Sequence, residues 1–211
     1  MSIAPDRRAE LKARHRQAIL DAADSLIRER GKPHFSVDEL AERANVSRRT
    51  VFNHFASLDD VIMMTCTQLL SAVVDEFRAA TNAMPQGDGS IEALFDRITT
   101  ALSAIDLPTV VAYLCGVLAA DGDNGRSHSA LNDVFSRATE QLSREIIDRS
   151  PAIDPFEVAV LMSSTMNGVA VVATRWLVQT GGTLDASSRR VWNDMLDRLI
   201  TAIRHGYSAA G

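Results

Sequence analysis

Two cysteines, Cys66 and Cys115, are all that this chain of 211 residues contains, and both sit inside apolar stretches of helical pattern. That excludes a disulfide scaffold, offers no metal-binding spacing, and suits a reducing compartment. The five histidines, His15, His34, His54, His128 and His205, are scattered along the chain and form no cluster. Nucleophile elbow, phosphate-binding loop and paired metal-ligand motif are all missing, so neither an enzyme nor a cofactor is expected. Six prolines and eleven glycines exclude a low-complexity polymer. No segment alternates with period two over a useful length, so no sheet is expected, and there is no internal repeat of about 20 to 50 residues. The N-terminus, MSIAPDRRAELKARHR, lacks an apolar run behind its positive charges, which argues against a secretory signal and for the cytoplasm. The longest uncharged stretch, Val158 to Thr174, is interrupted by Ser163, Ser164, Thr165 and Asn167; it reads as too short and polar for a membrane span and as a buried helix instead. Asp121 to Gly125 looks like the start of a calcium loop, but its sixth position is Arg126 and its twelfth Asn132, where glycine and a bidentate glutamate are needed. A solvated turn is expected there.

What is present is an uneven charge. The net charge of −5 argues at first against a nucleic-acid partner. Residues 1–60, however, hold 11 Lys or Arg against 10 Asp or Glu, whereas residues 61–211 hold 11 against 17. In the first sixteen residues Arg7, Arg8, Lys12, Arg14 and Arg16 oppose only Asp6 and Glu10. An acidic body repelled by a polyanion would leave this basic end to approach it.

Helical periodicity runs through the whole chain. A first helix is expected over Leu11 to Arg30, carrying Ile19, Leu20, Ala23, Leu26 and Ile27 on one face and stopped by Gly31 and Pro33. Ser36 caps a second helix, with Glu39 reaching back to form a capping box; Val37, Leu40, Ala41 and Ala44 make its apolar stripe. Asn45 stands where the chain reverses, a residue that tolerates left-handed backbone. Ser47 caps a third helix whose Val51 and Phe55 face the core. At about 100° per residue, Arg49, Thr50 and Asn53 then point the opposite way, flanked by Arg48, Phe52 and His54. That polar face has no carboxylate. Arginine can pair with guanine, asparagine with adenine, and threonine with bases or phosphates in the major groove, so the segment reads as a helix-turn-helix with the third helix as reader. Two caps and an apolar stripe also occur in any helical hairpin, and that alternative stays open at this point.

Further along, Ser57 and Asp60 start a fourth helix running to about Thr81. After the loop at Pro85 to Gly89, Ser90 caps a fifth helix, and Pro108 opens a sixth that is apolar on nearly every side. A seventh spans about Ser129 to Arg149, an eighth runs from the Asp154 cap and Pro155 to Gly181, and a last covers about Asp185 to Gly206. The expected fold is all-α, about nine helices: a three-helix helix-turn-helix head in residues 1–56 and a helical ligand-binding and dimerisation bundle in residues 57–211.

The patterns AILDAADSLIRERG, FSVDELAERANVSRRTVFNHF and FASLDDV resemble the TetR family of bacterial transcriptional regulators. The resemblance is strong over about a quarter of the chain, and elsewhere covers only helix number, length and order. It implies an N-terminal head that binds double-stranded operator DNA, a C-terminal bundle that binds a small molecule, and a homodimer paired through the last two helices. It places Val37, Arg48, Arg49, Thr50, Phe52, Asn53 and His54 on DNA-touching positions, beside the capping Ser36 and Ser47. Three positions depart from the family pattern. Asn45 replaces a frequent turn glycine. Phe52 replaces the usual tyrosine, which removes a phosphate hydrogen bond, and Leu58 replaces a frequent backbone-binding lysine. Arg7, Arg8, Lys12 and Arg14 are positioned to compensate at phosphates or in the minor groove.

A bundle of this size can enclose an apolar cavity. Candidate lining residues are Met63, Met64, Phe77, Phe95, Tyr113, Met162, Met166, Asn167 and Trp176, any of which can equally be ordinary core. Tyr113 and Asn167 stand out because a polar group among apolar neighbours requires a partner. The apolar stripes with Val169, Val172 and Trp176 on the eighth helix and Trp192, Leu196, Leu199 and Ile203 on the ninth exceed what one partner helix covers, so a four-helix interface with a second copy is expected. The expected function is a repressor released from a palindromic operator by a small molecule; a regulator without an inducer, or an activator, remains the alternative. No membrane partner is expected.

Overall fold

The computed structural model describes residues 7–85, 88–120 and 126–208, and among the described residues it is entirely helical. The Asp121 to Gly125 turn lies outside them. The nine helices are α1 (Arg7–Arg30), α2 (Val37–Arg43), α3 (Arg48–His54), α4 (Leu58–Ala83), α5 (Ile91–Ala104), α6 (Leu107–Ala120), α7 (Arg126–Arg149), α8 (Pro155–Thr180) and α9 (Ala186–Ser208). The chain divides into two compact units. One comprises Met1–Leu69 with Tyr113–Ser129, the other Leu70–Ala112 with Ala130–Gly211, so α4 and α6 each contribute to both.

Local chemistry sets the helix ends in the first unit. Ser36 Oγ accepts the Glu39 amide at 3.2 Å while the Glu39 carboxylate accepts the Ser36 amide at 2.8 Å, completing the capping box. Asn45 has φ 52, the left-handed reversal between α2 and α3. Ser47 Oγ accepts the Thr50 amide at 3.1 Å, and Ser57 Oγ the Asp60 amide at 3.1 Å. Ile19, Leu20, Ala23, Leu26 and Ile27 of α1 are buried with Leu40, Ala41, Val51, Phe55, Val61 and Cys66. The C-terminal part of α6 packs close enough to the end of α1 that a Cβ at Gly116 would overlap the Gly31 carbonyl oxygen.

Helix α1 begins at Arg7, a full turn before the expected Leu11. Its first turn, Arg7 to Glu10, has no apolar residue larger than Ala9, so hydrophobic periodicity has nothing there to detect. Arg8, Lys12 and Arg14 therefore stand on α1.

The second unit is built on α5, α8 and α9. Leu94, Phe95, Ile98 and Leu102 of α5 are buried with Val158, Leu161, Met162 and Trp176 of α8 and Trp192 of α9. Trp176 and Trp192 meet edge to face, centroids 5.6 Å apart, and the Trp176 indole donates to the Ser188 carbonyl at 2.8 Å. At Gly168 a Cβ would overlap the Leu199 side chain, so glycine is what lets α9 lie against α8. Asp154 caps α8, accepting the Phe156 amide at 2.8 Å, and Gly181 ends it at φ 66. By length and composition alone this 26-residue helix is apolar enough to cross a membrane, contrary to the expectation drawn from the shorter uncharged stretch. Seven of its residues are nevertheless buried within the protein.

Candidate nucleic-acid interface

Helix α3 is anchored by its apolar side and open on the other. Val51 and Phe55 are buried, whereas Arg48, Arg49, Phe52 and Asn53 are exposed and Thr50 and His54 half-buried. Ser47 does double duty, capping the helix and meeting Thr50 Oγ1 at 2.8 Å, which fixes the threonine side chain. On α2, Val37 is half-buried and Ser36 is held in its capping box.

The arginines of the first unit sort into two groups. Arg28 pairs with Asp24 at 2.8 Å, Arg30 with Glu39 at 2.7 Å, Arg43 with Glu29, and Arg48 with Asp38 at 2.9 Å. Arg49, Lys12, Arg14 and Asn53 make no hydrogen bond or ion pair among the described residues. A polyanion approaching α3 thus meets Arg49 and Asn53 without first displacing a protein partner. The Arg30 and Ser36 contacts hold the Glu39 carboxyl down to about 2. It stays ionised and committed to the cap.

The C-terminal end of α3 is tied to α1. Arg16 donates to the His54 carbonyl at 3.2 Å and stacks 4.5 Å over the Phe55 ring. His15 meets His54 edge to face at 6.3 Å. Burial, followed by His15, Lys12 and Arg16, lowers the His54 pKa. Neither the Arg16 tie nor the Asp38–Arg48 pair was legible in the sequence, because the partners come from different helices and no local spacing signals them. Arg8 is exposed on the first turns of α1; Leu58 opens α4 half-buried, so its position adds no cation.

The matched family lies over this geometry. Residues 19–62 match the model of the bacterial regulatory proteins of the tetR family. The matched stretch covers the end of α1, all of α2 and α3 and the start of α4. A curated relative, the HTH-type transcriptional regulator TcmR of Streptomyces glaucescens, is 29% identical over 92 residues, 44% of this chain but only 39% of TcmR. The fold extends further than the sequence likeness. A TetR-family transcriptional regulator from Streptomyces coelicolor aligns with a TM-score of 0.61 at 14% identity, over 92% of this chain and 96% of its own. FadR of Thermus thermophilus, a TetR-family repressor solved with lauroyl-CoA, aligns at 0.53 with 22% identity, over 88% and 93%. The sequence likeness is thus to DNA-binding transcriptional regulators and is concentrated in the N-terminal helices.

The expected ligand residues are dispersed. Phe77, Phe95, Met162, Met166 and Trp176 are buried in the core of the second unit. Tyr113 belongs to the first unit, where Arg28 lies 5.5 Å over its ring and its hydroxyl is buried without a hydrogen bond among the described residues. Burial raises its pKa, the Asp24 carboxylate adding to the effect. Met63 is half-buried and Met64 exposed on α4. Asn167 lies on α8. It is exposed, and its amide donates to the Ser163 carbonyl one turn back at 2.8 Å. The described hollow, about 450 Å³, lies elsewhere, among Leu102, Ile105, Asp106, Arg189, Trp192 and Asp197, with the Asp106–Arg189 ion pair (2.6 Å) on its wall.

The residues expected at a dimer interface lie on α8 and α9. Val172, Trp176, Trp192 and Leu196 are buried by their own subunit, while Leu199 and Ile203 are half-buried against the same core. The face of α8 that is free carries Phe156 (73% exposed), Val160 (37%), Val171 (58%) and Val178 (85%).

Proposed function

We propose that this chain is a homodimeric DNA-binding transcriptional regulator acting in the cytoplasm, a repressor that reads a palindromic double-stranded operator through α3. The carrying observation is the exposed, carboxylate-free face of α3, where Arg49 and Asn53 are unpaired among the described residues and Thr50 is pre-set by Ser47. Such a face can read base edges in the major groove, with Phe52, Val37 and His54 beside it and Arg8 and Lys12 supplying charge toward the phosphates. The test is selection of duplexes from a random pool, followed by fluorescence anisotropy. An inverted repeat bound at least about a thousandfold more tightly than scrambled DNA supports the reading; binding without preference would sink it.

Pairing is assigned to the outer face of α8. Val160, Ser164, Asn167, Val171, Thr174 and Val178 recur at alternating spacings of four and three, the seam of a two-helix contact, and all six are exposed. An asparagine on such a seam can fix its register. Val171→Glu with Val178→Glu should turn a sedimenting dimer into a monomer with unchanged helix content; a dimer that survives them lies elsewhere.

Release by a small molecule draws on the ligand seen in FadR. The closed core around Met162, Met166 and Trp176 favours the second reading, a regulator without an inducer. A metabolite panel that shifts both melting temperature and operator affinity would select the first; a panel that moves neither selects the second.

A further inference from the structure

The Asp38–Arg48 pair joins the first turn of α2 to the first residue of α3 at 2.9 Å, with both side chains largely exposed, 66% and 61%. An exposed pair of this kind adds little to folding, and the two helices are already held by Leu40, Ala41, Val51 and Phe55. Its main effect is on charge. It neutralises one of two adjacent arginines at the start of the reading helix and puts a carboxylate where phosphates approach. Arg49 next to it has no partner among the described residues. The two arginines are thus unequal: one is free to read, the other is tethered.

Tethering acts differently on the two kinds of DNA complex. A non-specific complex draws essentially all its affinity from phosphate neutralisation and can shift along the duplex until each free cation finds a phosphate. A specific complex is locked in register by base contacts and uses an extra cation only if a phosphate happens to lie within its reach. Holding Arg48 away therefore costs non-specific binding more than operator binding.

We infer that Asp38 is a specificity-determining positioning residue: by tethering Arg48 it suppresses binding to non-operator DNA and so widens the gap between operator and background. This rests on the proposed DNA-reading function.

The test uses the full chain and two duplexes, the tightest sequence that the wild type selects from a random pool and a scrambled duplex of the same composition, titrated over a range of salt. With Asp38→Asn, one added phosphate contact per head steepens the log–log salt slope for scrambled DNA by about 1.8 per dimer, an affinity gain of up to roughly 60-fold at 0.1 M salt relative to 1 M. Affinity for the selected duplex should rise by less than about threefold, so that discrimination falls. In an Arg48→Ala background Asp38→Asn should do nearly nothing, because the effect passes through the arginine. Equal gains on both duplexes, a gain that persists without Arg48, or a loss of affinity for the selected duplex would each overturn the assignment. If the wild type selects no sequence, the DNA-reading function itself fails, an outcome separate from these. Unchanged helix content by circular dichroism in every variant confirms that folding is not what moved.

Discussion

Trp176 separates two readings of the eighth helix. Treated as part of an interface between copies, its truncation would weaken association; placed where it lies, fully buried against Trp192 with its indole bonded to the Ser188 carbonyl, truncation weakens the subunit itself. Trp176→Ala removes one of the two largest side chains of that core, which costs about 3 to 5 kcal/mol including the cavity left behind. Trp176→Phe keeps an aromatic ring but removes the indole donor to the Ser188 carbonyl, a hydrogen bond worth about 0.5 to 1.5 kcal/mol. Against a total stability of about 5 to 15 kcal/mol, the alanine variant loses a large fraction. Urea denaturation followed by circular dichroism measures both, and sedimentation at several concentrations measures association. A cycle with Trp192→Phe should return about 0.5 to 1.5 kcal/mol of coupling for the edge-to-face pair. Alanine and phenylalanine variants equal to wild type in unfolding, but tenfold weaker in association, would refute the core placement.

Arg49→Ala should cost about 1 to 3 kcal/mol on the selected operator and relax preference at one base pair, whereas Lys12→Ala should weaken all duplexes alike and flatten the salt dependence; identical losses from both would remove Arg49 from base reading. Gly116→Ala should destabilise by about 1 to 3 kcal/mol, because the new Cβ meets the Gly31 backbone and not a side chain that could swing aside; a wild-type melting curve would show that α6 does not pack there as described. The pH dependence has two parts. Glu39, held down to about 2, stabilises the fold above its ordinary value near 4.5, and this stabilisation is lost as pH falls from there toward 2. His54, lowered by burial, makes the unfolded state the better proton binder, so stability falls as pH drops through about 6.5. Glu39→Gln and His54→Gln should each flatten their own window of a melting-temperature profile, and a profile unchanged by either would contradict its contact. Burial pushes the Cys66 thiol up to about 12, so at neutral pH a thiol reagent should label Cys115 and leave Cys66 untouched until unfolding.

Most of the helical plan can be read from residue types, because caps act locally. Ser36 with Glu39, Ser47, Asn45, Ser90 and Asp154 with Pro155 each satisfy or terminate backbone within a few residues of themselves, and all of them do so in the folded chain. The polar face of α3 is legible for the same reason, since one buried valine and one buried phenylalanine orient the seven residues of that helix. The first turn of α1 was missed because a turn without a large apolar residue has no periodicity to show.

Residue types along the chain therefore fix the helices, their caps and the polar face of α3. Which apolar stripe of α8 turns inward is a different matter. Leu161, Met162 and Trp176 are buried while Val160, Val171 and Val178 are exposed, although both sets repeat at helical spacing. Two stripes of similar hydrophobicity give a periodicity argument nothing to choose between. Tertiary packing chose, because only one rotation of α8 puts Gly168 under Leu199 and brings the Trp176 indole to both Trp192 and the Ser188 carbonyl. The commitment of Arg48 to Asp38 was settled the same way, by the crossing of two short helices that no spacing along the chain encodes.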